Sequence, residues 1–385
     1  MKRSIVSIVK TGKCPPTEQV ERAVRRAVEL AGGLDEVLSP GALVLIKPNL
    51  VAVPPRADSG ACTRASVCKA LADLVVELGC RPVIAESSGR GVDTEKVMEA
   101  TGYTPLRQLG YEVIDLKKTK TVRVAVPDGH ALKEVSTFEL AMQADAIISV
   151  PVMKTHDQTE VTLSLKNLKG LVTDADKRRI HQLGVFEGVC DLNALFRPVF
   201  ALIDGIRAQE GLGPIHGLPV DMGLVIAGRD LVAVDAIASD TMGFDPQEIP
   251  LLRRAAERGL GSLARDGIEV VGEKVEQVRR RFLRMEEDKR IQVGNLEVIH
   301  SEGSCTGCRN GVLSSLFDMI QAGTIGQAHG LTIVTGGAEP PPGTPEQKIV
   351  PVGICCPNWL KQLPRYVKGC PPNNVDTVGA ILGAQ

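Results

Sequence analysis

Short blocks of consecutive apolar residues recur along most of the chain, each bounded by polar turns and followed by a helix-period pattern. Leu43-Val44-Leu45-Ile46, Pro82-Val83-Ile84-Ala85, Ala146-Ile147-Ile148-Ser149-Val150, Val199-Phe200-Ala201-Leu202-Ile203 and Leu224-Val225-Ile226-Ala227 show almost no polar alternation. Strands that are apolar on both faces must be covered on both, as in a mostly parallel sheet between helical layers. A shorter strand is expected at Val113-Ile114-Asp115. Val20, Ala23, Val24, Ala27, Val28 and Ala31 recur at helical spacing, and Gly32-Gly33 supplies the stop. Further helices are expected over 65–78 and 94–100. The segment Met1 to Lys10 has too short an apolar part for a signal peptide and reads as the first strand. The expected fold is α/β: a mostly parallel sheet domain with helices on both faces over residues 1–290, and a smaller α/β domain over 291–385. The polar segment Met285 to Gln292 is the expected linker.

Charge and composition narrow the function. With 45 basic and 46 acidic residues in 385, the chain has no net field to attract nucleic acid. Aromatic residues make up 3%, too few for base-stacking platforms. No apolar run approaches the ~20 residues that cross a bilayer. Ten cysteines without a secretion signal imply a reducing compartment and metal chemistry rather than disulfides. A cytoplasmic protein is expected, with neither nucleic acid nor membrane as a partner.

Polar residues collect where the apolar blocks end. Lys47-Pro48-Asn49 closes one strand, and Cys62-Thr63-Arg64 opens a helix. Glu86-Ser87-Ser88-Gly89-Arg90-Gly91 is a Ser/Gly loop before a helix, where backbone donors and Arg90 could hold an anion. It is neither a P-loop nor a dinucleotide fingerprint. The densest group is Met153-Lys154-Thr155-His156, Leu165-Lys166-Asn167-Leu168-Lys169-Gly170 and Lys177-Arg178-Arg179-Ile180-His181. Lysines and histidines so spaced suit clamping a carboxylate or phosphate, or acid–base and Schiff-base chemistry by a buried lysine. Lys177-Arg178-Arg179 reads more simply as a solvated basic stretch. Lys154, His156 and Lys166 are therefore the candidate catalytic residues, and Lys47, Asn49, Arg64, Ser88, Arg90 and His181 the candidate binding residues. Asp204, Glu210 and Asp235 are expected to close the same pocket, and Asp230 to cap a helix.

The last eighty residues hold Ser304-Cys305-Thr306-Gly307-Cys308, Gly353-Ile354-Cys355-Cys356-Pro357 and Gly369-Cys370-Pro371-Pro372-Asn373. A Cys-x-x-Cys pair brings two thiolates to one metal centre, and further cysteines complete a four-sulfur shell. Soft ligands select iron–sulfur or zinc. Leu296 to Ile299 and Ile349 to Val352 read as strands running into the first two groups, and Val375 to Leu382 as a helix after the third. Three loops at one sheet edge could then converge. The set resembles the cluster-binding motifs of nickel–iron hydrogenase small subunits and the related complex I subunit. That resemblance implies one [4Fe–4S] cluster held by Cys305, Cys308, Cys370 and, by the Gly-x-Cys rule, Cys355, with the adjacent Cys356 left open. A structural zinc site is the alternative.

Lys47-Pro48-Asn49, Lys154-Thr155-His156, Lys166-Asn167-x-x-Gly170, Asp204-Gly205 and Glu210-Gly211-x-Gly213-Pro214 together resemble a broad family of uncharacterised conserved proteins of anaerobes and archaea, over about residues 3 to 262. Its members often carry an iron–sulfur module, and no general reaction is assigned to them. The order Thr63-Arg64, Gly loop, His156, Lys166 also resembles the amino-terminal domain of nickel-dependent lactate racemases. That likeness implies Lys166 as a cofactor-tethering lysine, His156 as a proton carrier or ligand, and a nickel-containing cofactor as a lesser alternative. The reading adopted is an oxygen-sensitive [4Fe–4S] oxidoreductase passing electrons between the cluster and a small anionic substrate or cofactor, with a redox partner protein. The alternatives are a non-redox isomerase, racemase or lyase whose cluster is structural or a Lewis acid, and a bare electron carrier.

Overall fold

The computed structural model describes residues 3–291, 293–302 and 304–383. Fifteen strands are found among them: β1 (Ser4–Lys10), β2 (Leu43–Pro48), β3 (Arg81–Glu86), β4 (Val113–Asp115), β5 (Thr121–Ala125), β6 (Glu134–Phe138), β7 (Ala146–Val150), β8 (Val152–His156), β9 (Glu160–Thr162), β10 (Phe200–Glu210), β11 (Leu218–Gly228), β12 (Ile268–Gly272), β13 (Glu297–His300), β14 (Thr332–Thr335) and β15 (Ile349–Val352). The large sheet runs β12-β1-β11-β10-β7-β2-β3-β4, with β8 paired to β10 and β9 to β8. The pairings β1–β12, β7–β10, β8–β10, β2–β7, β2–β3 and β3–β4 are parallel. Those of β11 with β1 and β10, and of β8 with β9, are antiparallel. The architecture is α/β with a mostly parallel mixed sheet flanked by helices.

The apolar strand blocks are explained by which face each side chain enters. On β2, Val44 and Ile46 enter one core and Leu45 the other; on β11, Val225 and Ala227 enter the first and Leu224 and Ile226 the second. Helices Thr17–Leu30 and Ala65–Glu77 cover the first face. Helices Val185–Phe196, Leu231–Thr241 and Pro250–Glu257 cover the second. Period-two alternation is lost because both faces are dry.

Two expectations are corrected. Asp204 and Glu210 lie within the eleven-residue strand β10, paired with the equally long β11, rather than in loops after a short strand. The segment expected as a linker is packed: Met285 and Ile291 are buried in the second module's core together with Leu212, and Asp288 is buried. Gln292 lies outside the described residues. The second module is a parallel three-stranded sheet, β13-β14-β15. Among the described residues no helix is long and apolar enough to cross a membrane.

Candidate functional site

The parallel strands of the large sheet end at a cavity of about 430 Å³, the edge at which open α/β sheets bind ligands. Lys47 at the end of β2 and Glu86 at the end of β3 meet there as a fully buried pair, 2.7 Å apart. The Glu86 carboxylate also accepts the main-chain N–H groups of Leu50 and Ser87. Gly170 lets its loop pass over this pair, since a Cβ there would stand 2.6 Å from Lys47 Nζ. β8 brings Lys154 and His156, and the short helix Ser164–Asn167 brings Lys166. Asp235 fixes that helix by accepting the N–H groups of Ser164 and Leu165 at 2.8 and 2.9 Å. His181 comes from helix Asp174–Leu183.

Lys47, Asn49, Ser88, Arg90, Lys154, His156, Lys166 and His181 thus line one cavity, gathered from stretches far apart in the sequence. Arg64 does not line it. Its N–H donates to Asp204, and it stands at the start of helix Ala65–Glu77. Asp204, Glu210 and Asp235 do not close the pocket either. Asp204 and Asp235 hold main-chain amides, and Glu210 pairs with Arg280. Asp230 caps helix Leu231–Thr241, as the sequence suggested.

The Ser/Gly loop is not an open anion cradle. Its amides are spent inside the fold: Ser88 N–H on Thr94, Gly89 N–H on the Val51 carbonyl, and Gly91 N–H on Asp174. Lys177, read from the sequence as solvated, is buried beneath this loop. It donates to the Ser87 and Ser88 carbonyls at 2.9 and 2.7 Å and reaches Asp174. A run of three basic residues looked exposed because helical periodicity, which turns Lys177 inward and Arg178 outward, was not applied to it.

Asn167 and Lys169, noted in the densest polar group but not chosen as candidates, also stand at the cavity wall, together with Asn374, which the sequence reading missed. Lys169 stands three residues after Lys166, the spacing of one helical face, and that was the available signal. Two lysine–histidine pairs result. Lys166 Nζ lies 2.8 Å from His156 Nε2, and Lys169 Nζ contacts His181 Nε2. His156 Nδ1 accepts the Gln158 N–H at 3.0 Å and lies 2.7 Å from Asp157 Oδ1, a buried oxygen without a hydrogen-bond partner.

Burial sets the protonation of these groups. It pushes Lys154 down to about 7 and Lys166 down to about 8. Burial, then the Lys166 charge, takes His156 down to about 4. Lys169 and His181 are both held well below their ordinary values, first by burial. Among the described residues neither Lys154 nor Lys166 pairs with a carboxylate. Lys154 rests on the Ala61 and Pro214 carbonyls at 2.6 and 3.0 Å. Buried Ser88 Oγ, Asn49 Oδ1 and His181 Nδ1 line the same cavity without hydrogen-bond partners. Such orphans cost about 1–3 kcal/mol each until a ligand or water satisfies them.

In the second module, β13 runs toward Cys305 and β15 toward Cys355, while Cys370 precedes helix Asn374–Leu382. All ten cysteines are free thiols. Burial raises the Cys308 thiol, and the nearby Cys305, Cys370, Cys355 and Cys356 raise it further, so all five lie in one neighbourhood. Gly353, at φ +100°, leaves room beside them; a Cβ there would stand 2.6 Å from Cys308 Sγ. Cys356 points away, its thiol buried in an apolar cluster and facing the Val352 and Val334 carbonyls at 3.5 and 3.8 Å. Among the described residues no three His, Cys, Asp or Glu side chains are gathered closely enough to hold a single ion.

Comparison with known proteins assigns the family. Residues 44–240 match the family described as Domain of unknown function (DUF362). The chain belongs to that family. Every cavity residue expected from the sequence falls inside the matched region of this DUF362 protein, whereas the cysteine loops fall outside it. A curated relative, the thylakoid-associated protein sll1697 of Synechocystis, is 31% identical over 249 residues, covering 63% of this chain and 76% of the relative. The lactate racemase apoprotein of Thermoanaerobacterium thermosaccharolyticum aligns at a TM-score of 0.40 and 11% identity, over 63% of this chain and 57% of that one.

Proposed function

We propose that this DUF362 protein holds a [4Fe–4S] cluster on Cys305, Cys308, Cys355 and Cys370 and uses it to exchange electrons with a small anionic substrate or cofactor in the lysine–histidine cavity. The carrying observation is the loop that carries Cys370. Its continuation, Asn373, Asn374 and Val375, lines the cavity. The Cys370 N–H donates to the His181 carbonyl at 3.1 Å, and the Val185 N–H donates back to the Cys370 carbonyl at 2.8 Å. The proposed cluster ligand and the cavity histidine therefore share a main-chain contact. When bound, the cluster supplies one-electron chemistry. The chain's own residues do the rest: Lys154, Lys166 and Lys169 attract the anion, and the His156 and His181 pairs hold or release protons. Cys305 and Cys355 are solvent-exposed, which suits electron exchange with a partner protein on that side.

The test is iron, sulfide, zinc and nickel counting on anaerobically purified protein, followed by spectroscopy of the reduced cluster with and without added anions. About four irons and four sulfides are expected, both lost in Cys370→Ser, with the reduced signal perturbed by a bound anion. Zinc alone would defeat the proposal. Stoichiometric nickel, or an iron cluster indifferent to anions and potential, would favour a second reading: proton transfer at carbon without redox change. Two histidine-containing pairs on one cavity favour that reading, and exchange of substrate hydrogen with solvent deuterium would reveal it.

A further inference from the structure

We propose that Lys166 is an imine-forming amine that captures a small 2-oxo acid in the cavity; this rests on the reading of that cavity as a small-anion site. The four buried lysines of the pocket differ in what holds their nitrogens. Lys47 is ion-paired with Glu86, and Lys177 caps three oxygens of the Ser/Gly loop. Lys154 is pinned between two carbonyls. Lys166, 8% exposed, has for its polar neighbour a histidine nitrogen 2.8 Å away. A nucleophilic amine needs an adjacent group that can move a proton; among the four most buried lysines Lys166 has one in His156, and the less buried Lys169 stands against His181 in the same way. Burial, which holds it near 8, leaves an appreciable amine fraction at neutral pH.

The cavity also says which carbonyl compound fits. An anionic group on the ligand would lie among Lys154, Lys169 and the unpartnered Ser88 hydroxyl. A phosphate is disfavoured, because the loop amides that could have cradled it are spent within the fold. A carboxylate beside a carbonyl needs no such cradle, and Lys166 lines the same cavity as these anchoring groups.

The step balances without an external oxidant or reductant. The Lys166 lone pair attacks C2, the C–N bond forms, and the carbonyl π electrons move to oxygen. A proton passes from nitrogen through His156 Nε2 to that oxygen. The proton that the ammonium gave up before the attack returns through His156 to this hydroxyl, and the nitrogen lone pair forms the C=N bond as water leaves. Counted from the ammonium form and the ketone, the products are one iminium and one water, with charge conserved.

Iron-replete protein incubated with pyruvate or glyoxylate and sodium cyanoborohydride, then digested and mapped by mass spectrometry, tests this directly. The expected result is one reduced secondary-amine adduct, on Lys166, prevented by oxalate, which has the charge but no ketone. Lys166→Arg should abolish it, and His156→Gln should slow its formation while leaving its position unchanged. No adduct, or labelling spread over exposed lysines and unaffected by oxalate, overturns the proposal. The position of the wild-type adduct decides the matter even if Lys166→Arg does not fold. Iron and sulfide counted on the same samples separate the two ideas. An adduct without a cluster defeats the redox reading alone, and a full cluster without an adduct defeats the imine alone.

Discussion

Lys47 and Lys154 are both fully buried, and they meet the cost of burial differently. Lys47 keeps its charge beside Glu86, so removing the carboxylate strands a cation in the core. Glu86→Ala should cost about 3–5 kcal/mol in urea unfolding, and pairing it with Lys47→Met should recover part of that loss. An unchanged midpoint for Glu86→Ala would mean that the pair is not closed as described. Lys154 has carbonyls but no counter-charge, and its ionisation in the fold is lowered to about 7 from an ordinary 10.5. Between those values the unfolded chain binds the proton and the folded chain does not, so this residue's contribution to stability rises with pH across that window. The stability of wild type relative to Lys154→Met should accordingly increase from about pH 7 to about pH 10.5. A difference that is flat or falls over that range would show Lys154 to be solvated. The sequence showed that lysines and histidines were dense here. It could not show that Lys177 serves loop carbonyls while Lys166 faces a histidine, because those partners lie on other strands.

The elements that build the sites were legible in proportion to how local their signals are. β2, β3 and β7 announced themselves because each is apolar on both faces, and helix Thr17–Leu30 because its buried residues keep helical spacing. The far half of β10 escaped notice. Asp204, Gln209 and Glu210 are polar residues that the fold buries against main-chain amides and Arg280, a tertiary outcome that no local pattern encodes. The cysteine loops were legible as motifs, but not that the turn after β15 buries the Cys356 thiol in an apolar cluster while Cys355 is exposed. Gly353 is the element-scale test of that loop. Gly353→Ala forces a left-handed backbone on a residue with a Cβ and places that Cβ against Cys308 Sγ. Iron content should fall with only about 1–2 kcal/mol of lost stability. Gly60→Ala, also at positive φ and crowded by the Ala208 carbonyl in the large domain, should lose stability but keep its iron. Equal iron loss in both would mean that general unfolding, not the cysteine cradle, releases the metal.

At the scale of the whole molecule the second module packs against the large domain at several places, and two of these contacts lie beside the cavity. Gln158 Nε2 donates to the Pro372 carbonyl at 2.9 Å, and the Cys370 loop exchanges hydrogen bonds with residues 181 and 185. Gln158 donates its N–H to His156 Nδ1, and His181 is the other cavity histidine, so the cysteine loop reaches one pair through the Gln158 side chain and the other through the His181 carbonyl. Metal occupancy and cavity geometry should therefore be coupled. A thiolate shell that lacks its cluster has no bond holding Cys370 to Cys305, Cys308 and Cys355, and the loop can open locally. Hydrogen exchange on matched iron-replete and iron-free samples should show the Val185 amide and the segment around 158 exchanging about tenfold faster without iron, which corresponds to about 1.4 kcal/mol. The amides of β2 and β3, buried beneath helices on both faces, should be unmoved. Faster exchange everywhere would indicate that iron stabilises the fold as a unit. No change at 158 and 185 would separate the cysteine module from the cavity, and the proposed passage of electrons between them would lose its structural basis.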